Sequence, residues 1–209
     1  MADGVLHNFL TERLLTVRTP EGERLALTLP GVLRQLATGE IEAFCGLRRH
    51  QRQPWFCFLV QLAAIALHRQ GLGAELAAEA TEDDWRQWLR ELSDGRDEAW
   101  CLVVADLALP GIFQAPVPEG RLVKTSKKGE DKPWDVKITA DEIDYLVTAK
   151  VPDLKSASLA DASPDQWLFA LCSVQTSDGF GGATIYGIAR MNGGYASRSL
   201  AAHTPAQVW

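Results

Sequence analysis

The spacing of hydrophobic and polar residues changes several times along this chain, and each change predicts a different element. Apolar and polar residues alternate over residues 14–17 and 24–29, which predicts two antiparallel strands joined by a turn at residues 19–22. Residues 54–69 are apolar on nearly every side, a pattern typical of a helix buried in the centre of a domain. The chain is therefore expected to open with a hairpin and to continue into a helical core.

Start and stop residues predict two further helices in the first half. A short helix is expected over residues 30–37, because Pro30 suits a first turn and Gly39 suits a stop. Thr81 stands before three acidic residues, so it is expected to cap a helix whose first turn carries negative charge. The apolar residues that share one face of this second helix are Trp85, Trp88, Leu89 and Leu92.

The second half alternates between apolar runs and polar, glycine- or proline-containing stretches. Residues 100–106 predict a buried strand, and the proline-rich residues 109–120 predict an irregular connection. Residues 121–134 are rich in lysine and predict an exposed, mobile loop or hairpin tip. We expect a short strand over 135–138, a short helix or strand over 141–149, a flexible loop over 150–161, and a helix starting at Ser163-Pro164.

Together these elements predict an α+β fold of mixed helices and short antiparallel strands, with long functional loops. The 209 residues, 46% of them hydrophobic, suffice for one globular domain over residues 1–209, or for one domain with a long functional extension. No apolar run approaches the ~20 residues that span a bilayer. The start of the chain also lacks the pattern of a secretory signal, so we expect a cytoplasmic protein without membrane contact.

The four cysteines are scattered, and none forms a C-x-x-C pair. Each stands among apolar or aromatic residues, where a reduced thiol behaves as a small hydrophobic side chain. Structural zinc sites usually show paired ligands, so we expect buried thiols and no metal site. These cysteines are Cys45, Cys57, Cys101 and Cys172.

The net charge of −6 would ordinarily argue against a nucleic-acid partner, but the charge is unevenly distributed. Residues 75–98 contain nine acidic residues and three arginines, so one acidic helical region accounts for the whole imbalance. The remainder is neutral with local basic clusters, which can bind phosphates or can simply form a solvated surface. The clusters are Arg48, Arg49 and Arg52; Arg121, Lys124, Lys127 and Lys128; Lys150 and Lys155; and Arg190 and Arg198.

A glycine-dense stretch over residues 174–200 is the strongest candidate for function. It holds six of the chain's 17 glycines, and no acidic residue follows Gly179. Glycine lets a partner approach bare peptide groups, so such a loop beside arginine and asparagine suits contact with an anionic backbone or a base edge. The alternative is that the glycines mark a tight hairpin or packed loops. A dinucleotide fingerprint would need glycine where Thr184 stands, and no P-loop ending is present.

Catalytic motifs are absent from the sequence. The four histidines are isolated, there is no nucleophile elbow and no H-E-x-x-H, and the acidic residues cluster on a helix that is expected to be solvated. Acid–base or nucleophilic chemistry needs partners that converge, and the order of residues predicts no such convergence. We therefore expect a binding protein without catalytic residues, metal or cofactor.

Several segments in order along nearly the whole chain resemble the N-terminal domain of the CasA family, the large subunit of the type I-E CRISPR surveillance complex, Cascade. They are LTVRTPEGERLALTLPGVL near the start, CLVVADLALPGIFQAPVP from residue 101, TAK at residues 148–150, and above all GFGG followed by YGIARMNGGYASR. The motif over residues 179–198 is the most specific part of this resemblance.

The resemblance implies a non-enzymatic subunit that recognises the protospacer-adjacent motif in double-stranded DNA and helps to start target unwinding. It further implies partners: guide CRISPR RNA, other Cascade subunits and a recruited helicase-nuclease. A second family feature, a loop that touches the guide's 5′ handle, would fall at Lys150 to Lys155. The resemblance implies a motif-reading segment of Gly179, Phe180, Gly181 and Gly182. From the residues themselves, we expect backbone or structural contacts from Arg190, Asn192 and Arg198. The expected nucleic-acid or subunit contact loops contain Lys124, Lys127, Lys128, Lys150 and Lys155.

The sequence departs from the family pattern at several places. Val151-Pro152-Asp153 stands where related chains have Asn-His-Asp, and the paired zinc cysteines of some members are missing. Family chains are more than twice as long, so their wedge hairpin, motif-reading lysine and C-terminal helical bundle would lie beyond Trp209. We therefore expect a truncated, partial or naturally minimised subunit. Two alternatives stay open: a scaffold of a ribonucleoprotein without direct motif reading, and a small phosphate-ligand enzyme.

Overall fold

The computed structural model describes residues 6–117, 124–125, 131–132, 136–144 and 161–177. The described part contains a three-stranded antiparallel sheet, a two-stranded hairpin and four α-helices, which confirms the expected α+β class. The strands are β1 (Leu15–Arg18), β2 (Arg24–Leu27), β3 (Ala43–Phe44), β4 (Lys124–Thr125) and β5 (Asp131–Lys132). The helices are α1 (Leu29–Ala37), α2 (Arg52–Arg69), α3 (Glu82–Leu92) and α4 (Pro164–Ser177).

The predicted opening hairpin is present. β1 pairs with β2 so that Leu15 lies opposite Leu27 and Arg18 opposite Arg24, and β3 joins the other edge of β1. Gly22 adopts φ +89° in the connecting turn, a conformation that costs a glycine little. Leu15 and Val17 are fully buried while the outward residues of β1 are not, as expected for a sheet with one face on the core.

The residues predicted to start and stop α1 and α3 do so in the structure. Thr28 caps α1 by accepting a hydrogen bond from the Gly31 backbone N–H at 3.0 Å, and the helix ends just before Gly39, where φ is +75°. Thr81 caps α3, and its hydroxyl and backbone N–H donate to the Asp84 carboxylate at 2.6 and 2.8 Å. Thr28 also donates to Glu82 at 2.7 Å, which joins the starts of the two helices.

The core lies between the sheet and the helices, and aromatic residues form its centre. The Trp55 ring lies 5.0 Å from the Phe169 ring and 5.7 Å from the Phe44 ring, so α2, α4 and β3 meet at one aromatic cluster. Trp85 and Leu89 bury the inner face of α3, with Trp88 and Leu92 partly buried beside them. These contacts follow the apolar faces predicted from the sequence.

The predicted buried strand over residues 100–106 is wrong. Residues 97–100 form a short 3-10 helix, and beyond it an isolated bridge joins Cys101 to Asn8. The backbone N–H groups of Leu102 and Val103 donate to the carbonyls of His7 and Leu6, but the carbonyl of Leu102 accepts from the side chain of Gln114 at 2.8 Å, so the pairing does not extend into a regular strand. Val103 is 47% exposed, so the apolar run marks a loop packed on the core at one end only. Residues 109–117, the described part of the predicted connection, are irregular as predicted.

Three other expectations need correction or refinement. Val136 and Ile138 lie in an irregular and highly exposed segment, so the part of residues 135–138 that is described forms no strand. Residues 140–142 form one 3-10 turn, residues 143 and 144 are irregular, and the rest of the predicted element over 141–149 lies outside the described residues. The hairpin of β4 and β5 agrees with the hairpin tip predicted for residues 121–134.

α2 is not buried on all sides as its apolar sequence predicted. Its buried face includes Trp55, Leu59 and Ala66, whereas Ile65 is 56% exposed on the opposite side. Within the described residues, no helix combines the length and the apolar character needed to cross a membrane. The four cysteines are free thiols; Cys101 and Cys172 are buried as expected, but Cys45 and Cys57 are only partly buried.

Candidate nucleic-acid interface

The residues predicted to bind nucleic acid lie almost entirely outside the described part of the chain. Of the whole set, the structure describes only the backbone of Lys124, which pairs with Lys132 in the hairpin of β4 and β5. The other predicted site residues, all outside the described ranges, are Gly179, Phe180, Gly181, Gly182, Arg190, Asn192, Arg198, Lys127, Lys128, Lys150 and Lys155. What the structure describes is the framework from which two of the predicted segments start.

The first part of that framework is α4, which ends at Ser177, two residues before Gly179. The helix starts at Pro164, as predicted, and the Gln166 side chain accepts from the Ser163 backbone N–H at 3.0 Å, but the Ser163 hydroxyl donates to Asp165 instead of capping the helix. Asp165 adds a second anchor: its carboxylate accepts from the Thr16 backbone N–H at 3.4 Å and from the Ser163 hydroxyl. The helix is thereby tied to β1 at its first turn.

The middle and last turns of α4 are held by the core. Leu168, Phe169 and Cys172 are fully buried, and Phe169 joins the aromatic cluster described above. Near the end, the Gln175 side chain donates to the Phe113 carbonyl at 2.6 Å and is only 2% exposed. Gln175 was grouped with the glycine-dense stretch in the sequence, but the structure gives it a structural role.

The second part of the framework is a buried polar cluster between two distant segments, which we call the polar junction: Arg48, His50, Gln51, Asp141 and Asp144. The Arg48 guanidinium lies 2.8 Å from the Asp141 carboxylate. His50 Nε2 lies 2.8 Å from Asp144, and the Gln51 amide donates to the same carboxylate at 2.5 Å. Asp144 is fully buried, so these donors replace the water that its oxygens would otherwise bind.

The polar junction fixes the chain immediately before residues 145–160, which include Lys150 and Lys155. On the far side of that segment, the chain returns at Asp161 and enters α4. α4 packs against both the 3-10 turn at Ala140–Glu142 and the one at Arg49–Gln51. The described residues on both sides of residues 145–160 therefore share one support with the helix that leads to the glycine-dense stretch.

No local sequence signal predicted the polar junction. Its partners are 93 or 94 residues apart, and a lone histidine or aspartate in a polar segment is usually solvated. The sequence grouped Arg48, Arg49 and Arg52 as one basic cluster, whereas the structure separates them. Arg48 forms an ion pair with Asp141 inside the junction, and Arg49 and Arg52 are exposed.

An apolar cleft of about 440 Å³ adjoins the start of α4. Trp167 and Leu171 of α4 form one wall, and Ile143 belongs to the segment that contains Asp144. Two polar side chains also line it: Gln114, and His7, whose buried Nδ1 has no hydrogen-bond partner within the described residues. The remaining lining residues are Leu102, Val103, Ala162 and Pro164, so the cleft suits an apolar group better than a charged one.

The acidic region predicted from the charge distribution lies on α3 and the turns beside it. The pKa of the Asp84 carboxyl is lowered by hydrogen bonds from the Thr81 hydroxyl and backbone N–H. The pKa of Glu91 is lowered by the amides of Gln70 and Gln87. These acids are engaged in capping and in surface hydrogen bonds, as expected for a solvated helix. Among the described residues, no group of three or more His, Cys, Asp or Glu side chains is placed to hold a metal ion.

Comparisons of this chain with protein-family models, with curated proteins and with solved structures found no match. The assignment of function therefore rests on the residues of the chain and on the framework that supports them.

Proposed function

We propose that this chain is a non-enzymatic subunit of an RNA-guided CRISPR surveillance complex, in which Gly179 to Gly182 read the protospacer-adjacent motif of double-stranded DNA. One observation carries the proposal: the helix before these glycines and both ends of the Lys150-containing segment share a single buried support. A recognition loop needs a rigid base, because a displacement of its base would move every contact that its tip makes.

The chemistry of the glycine segment fits a groove reader. The minor groove is about 6 Å wide, so a backbone amide or carbonyl can reach the base edges only where no side chain blocks the approach. The minor-groove pattern is also degenerate, which suits recognition of several related motifs. Specificity for the remaining target then comes from pairing between guide RNA and DNA rather than from this chain.

In this proposal the partners are guide CRISPR RNA, target duplex, other subunits of the complex and a recruited helicase-nuclease, in the cytoplasm. Arg190, Asn192 and Arg198 would support the glycine segment through backbone or phosphate contacts. The lysines of the two contact loops would face nucleic acid or neighbouring subunits. Duplex opening would begin where the motif is bound.

The scaffold alternative is favoured by a different observation, the exposed apolar surface. Val103, Leu107 and Leu109 are 41–55% exposed along one irregular segment, and the cleft beside Trp167 is largely apolar. Such surfaces commonly contact protein. Under this alternative the glycines pack loops, and loss of the glycine segment would impair assembly rather than DNA recognition.

The two functions are separated by binding of the assembled complex to duplexes with a correct or a scrambled adjacent motif at fixed salt. The test variant is Gly181→Asp/Gly182→Asp. The matched control is Gly39→Asp/Gly71→Asp, which adds the same two charges at turn positions where nothing lies within 4 Å of a new Cβ. Both control positions have positive φ, which Asp tolerates better than most residues.

The proposal predicts that the test variant assembles normally but no longer distinguishes the two duplexes, whereas the control variant still does. Unchanged discrimination by the test variant would contradict motif reading by the glycines. Failure of the test variant to assemble, with normal assembly of the control, would favour the scaffold function instead.

A further inference from the structure

Arg49 and Arg52 differ from most arginines of the described chain because neither makes an ion pair there. Seven of the eleven arginines in the described ranges pair with carboxylates. Arg49 and Arg52 are both exposed, and no hydrogen bond of either side chain to another described residue occurs. Their charges are therefore uncompensated by the protein in this part of the structure.

The two side chains share one face. The 3-10 helix Arg49–Gln51 leads directly into α2, and residues three apart on a helical stretch are neighbours. The first turn of α2 contains no acidic residue. The positive end of the helix dipole adds to the two guanidinium charges at this point.

The nearby carboxylates do not neutralise these arginines, because other donors engage them. Asp141 pairs with Arg48, and Asp144 is fully buried with His50 and Gln51 at its oxygens. The two acids of the polar junction are thus buried, whereas Arg49 and Arg52 beside it are exposed. Glu142 is exposed next to Asp141, and its carboxylate accepts from the backbone N–H groups of Ile138 and Thr139 rather than from either arginine.

We propose that Arg49 and Arg52 bind phosphates of a polynucleotide backbone, beside the point where the Lys150-containing segment leaves the junction. This inference rests on the proposed function and adds a binding surface that the sequence resemblance does not assign. Guanidinium groups suit phosphate because their donors form paired hydrogen bonds to its oxygens.

Backbone contact, rather than reading of bases, follows from the neighbouring side chains. Single-strand recognition by stacking needs exposed aromatic rings, but Trp55 and Phe56 on the next turn of α2 are buried. Base-edge recognition needs an element that enters a groove, and Arg49 and Arg52 lie on the outer surface of a packed junction. The expected contact is therefore independent of nucleotide sequence.

The test measures the salt dependence of binding between the full chain and two labelled probes: a 20-base-pair duplex DNA and a 20-nucleotide single-stranded RNA. The test variant is R49Q/R52Q. The matched control is R13Q/R24Q, because Arg13 and Arg24 are also exposed and without ion pairs among the described residues, and Arg24 lies on the far edge of the sheet. Thermal unfolding of each variant checks that the fold is intact.

We expect R49Q/R52Q to weaken binding to at least one probe and to reduce the slope of log K against log salt by about 2, one for each lost phosphate contact. The control should change the slope by less than about half of that amount. The probe that responds identifies DNA or RNA as the source of the phosphates.

Equal slopes for the wild-type chain, test variant and control would overturn the inference, as would no binding of the wild-type chain to either probe at 50 mM salt. Unchanged slopes together with lost assembly of the complex would indicate an acidic protein partner at this surface. The inference and the proposed function can fail separately. If R49Q/R52Q changes the salt slope but the assembled complex does not discriminate between adjacent motifs, only the proposed function is refuted. If the complex discriminates between the motifs but the salt slope is unchanged, only the arginine contact is refuted.

Discussion

Asp144→Ala is the most informative perturbation of the framework. The carboxylate is fully buried and receives the Gln51 amide at 2.5 Å and the His50 ring nitrogen at 2.8 Å. Alanine would remove the acceptor and leave both donors behind. The polar junction would then lose its link between the turn before α2 and the chain that leads to residues 145–160.

The expected cost follows from the burial of the two donors. Gln51 is 4% exposed, so its amide would be left without a partner, at about 1 to 3 kcal/mol. His50 is slightly more accessible, with its side chain 12% exposed, so water can replace part of its lost contact. We expect a loss of about 3 kcal/mol in the free energy of unfolding, or a fall in Tm of about 6 to 12 °C for a domain of this size.

The assay is urea unfolding followed by tryptophan fluorescence, which reports on Trp55 and Trp85 in the core. The matched control is Glu42→Ala, which breaks the Arg18–Glu42 ion pair, at 2.7 Å but about half exposed on both sides. Surface pairs of this kind contribute about 0 to 1 kcal/mol. Asp144→Asn, which keeps the shape and one acceptor oxygen, should fall between the two variants.

Equal destabilisation by Asp144→Ala and Glu42→Ala would contradict this expectation, as would a cost of less than about 0.5 kcal/mol for Asp144→Ala, the range of ordinary surface substitutions. Either result would mean that the junction is open to water or not maintained in solution. The two predicted nucleic-acid segments would then have no shared rigid support.

Two further predictions concern the core and the cap of α3. Phe169→Ala should lower the free energy of unfolding in urea by about 3 to 5 kcal/mol, because it removes the ring contacts with Trp55 and Phe44. Phe169→Leu should lower it clearly less, and equal effects of the two variants would argue against tight packing at this position. Asp84→Asn should destabilise the protein at neutral pH, because hydrogen bonds from Thr81 lower the pKa of Asp84 in the folded state. A lowered folded pKa gives stability that is present above the ordinary Asp pKa of about 4 and is lost as the pH falls through the folded value. The difference in Tm between wild type and variant should therefore shrink from about pH 5 towards about pH 2, and a constant difference would contradict this cause.

Local signals predicted the elements that depend on local chemistry. The cap at Thr81, the helix start at Pro164, the stop at Gly39 and the alternation in β1 all act over a few residues. Their outcome does not depend on distant partners, so a single sequence suffices to predict them.

The secondary-structure predictions that were wrong concern segments whose conformation depends on the elements that pack against them. Residues 100–106 have the composition of a buried strand, but their antiparallel pairing with residues 6–9 is limited to one isolated bridge at Cys101, and Gln114 takes the carbonyl of Leu102. β propensity reflects packing against neighbours more than an intrinsic preference, so composition alone could not reveal the missing partner. The prediction that α2 is buried on all sides failed at Ile65 for the same reason, because the hydrophobicity of a helix does not show on how many sides other elements pack against it.

The candidate site could be predicted only in part. The inference that a packed helix leads into the glycine-dense stretch follows from the Ser163-Pro164 start and the apolar residues after it, and α4 agrees. The polar junction was missed because residues more than 90 positions apart form it. The roles of Gly179 to Gly182 and of Lys150 to Lys155 stay predictions, since these residues lie outside the described part.

Photo-crosslinking tests most directly whether the glycine segment touches the protospacer-adjacent motif, as we propose. The photoreactive residue p-benzoylphenylalanine would replace Phe180, and a control complex would carry it in place of Ile65, which is exposed on α2. In the assembled complex bound to target duplex, we expect crosslinks from position 180 to the bases of the adjacent motif and none from position 65. Stable target binding without any crosslink from position 180 to the motif would contradict the claim.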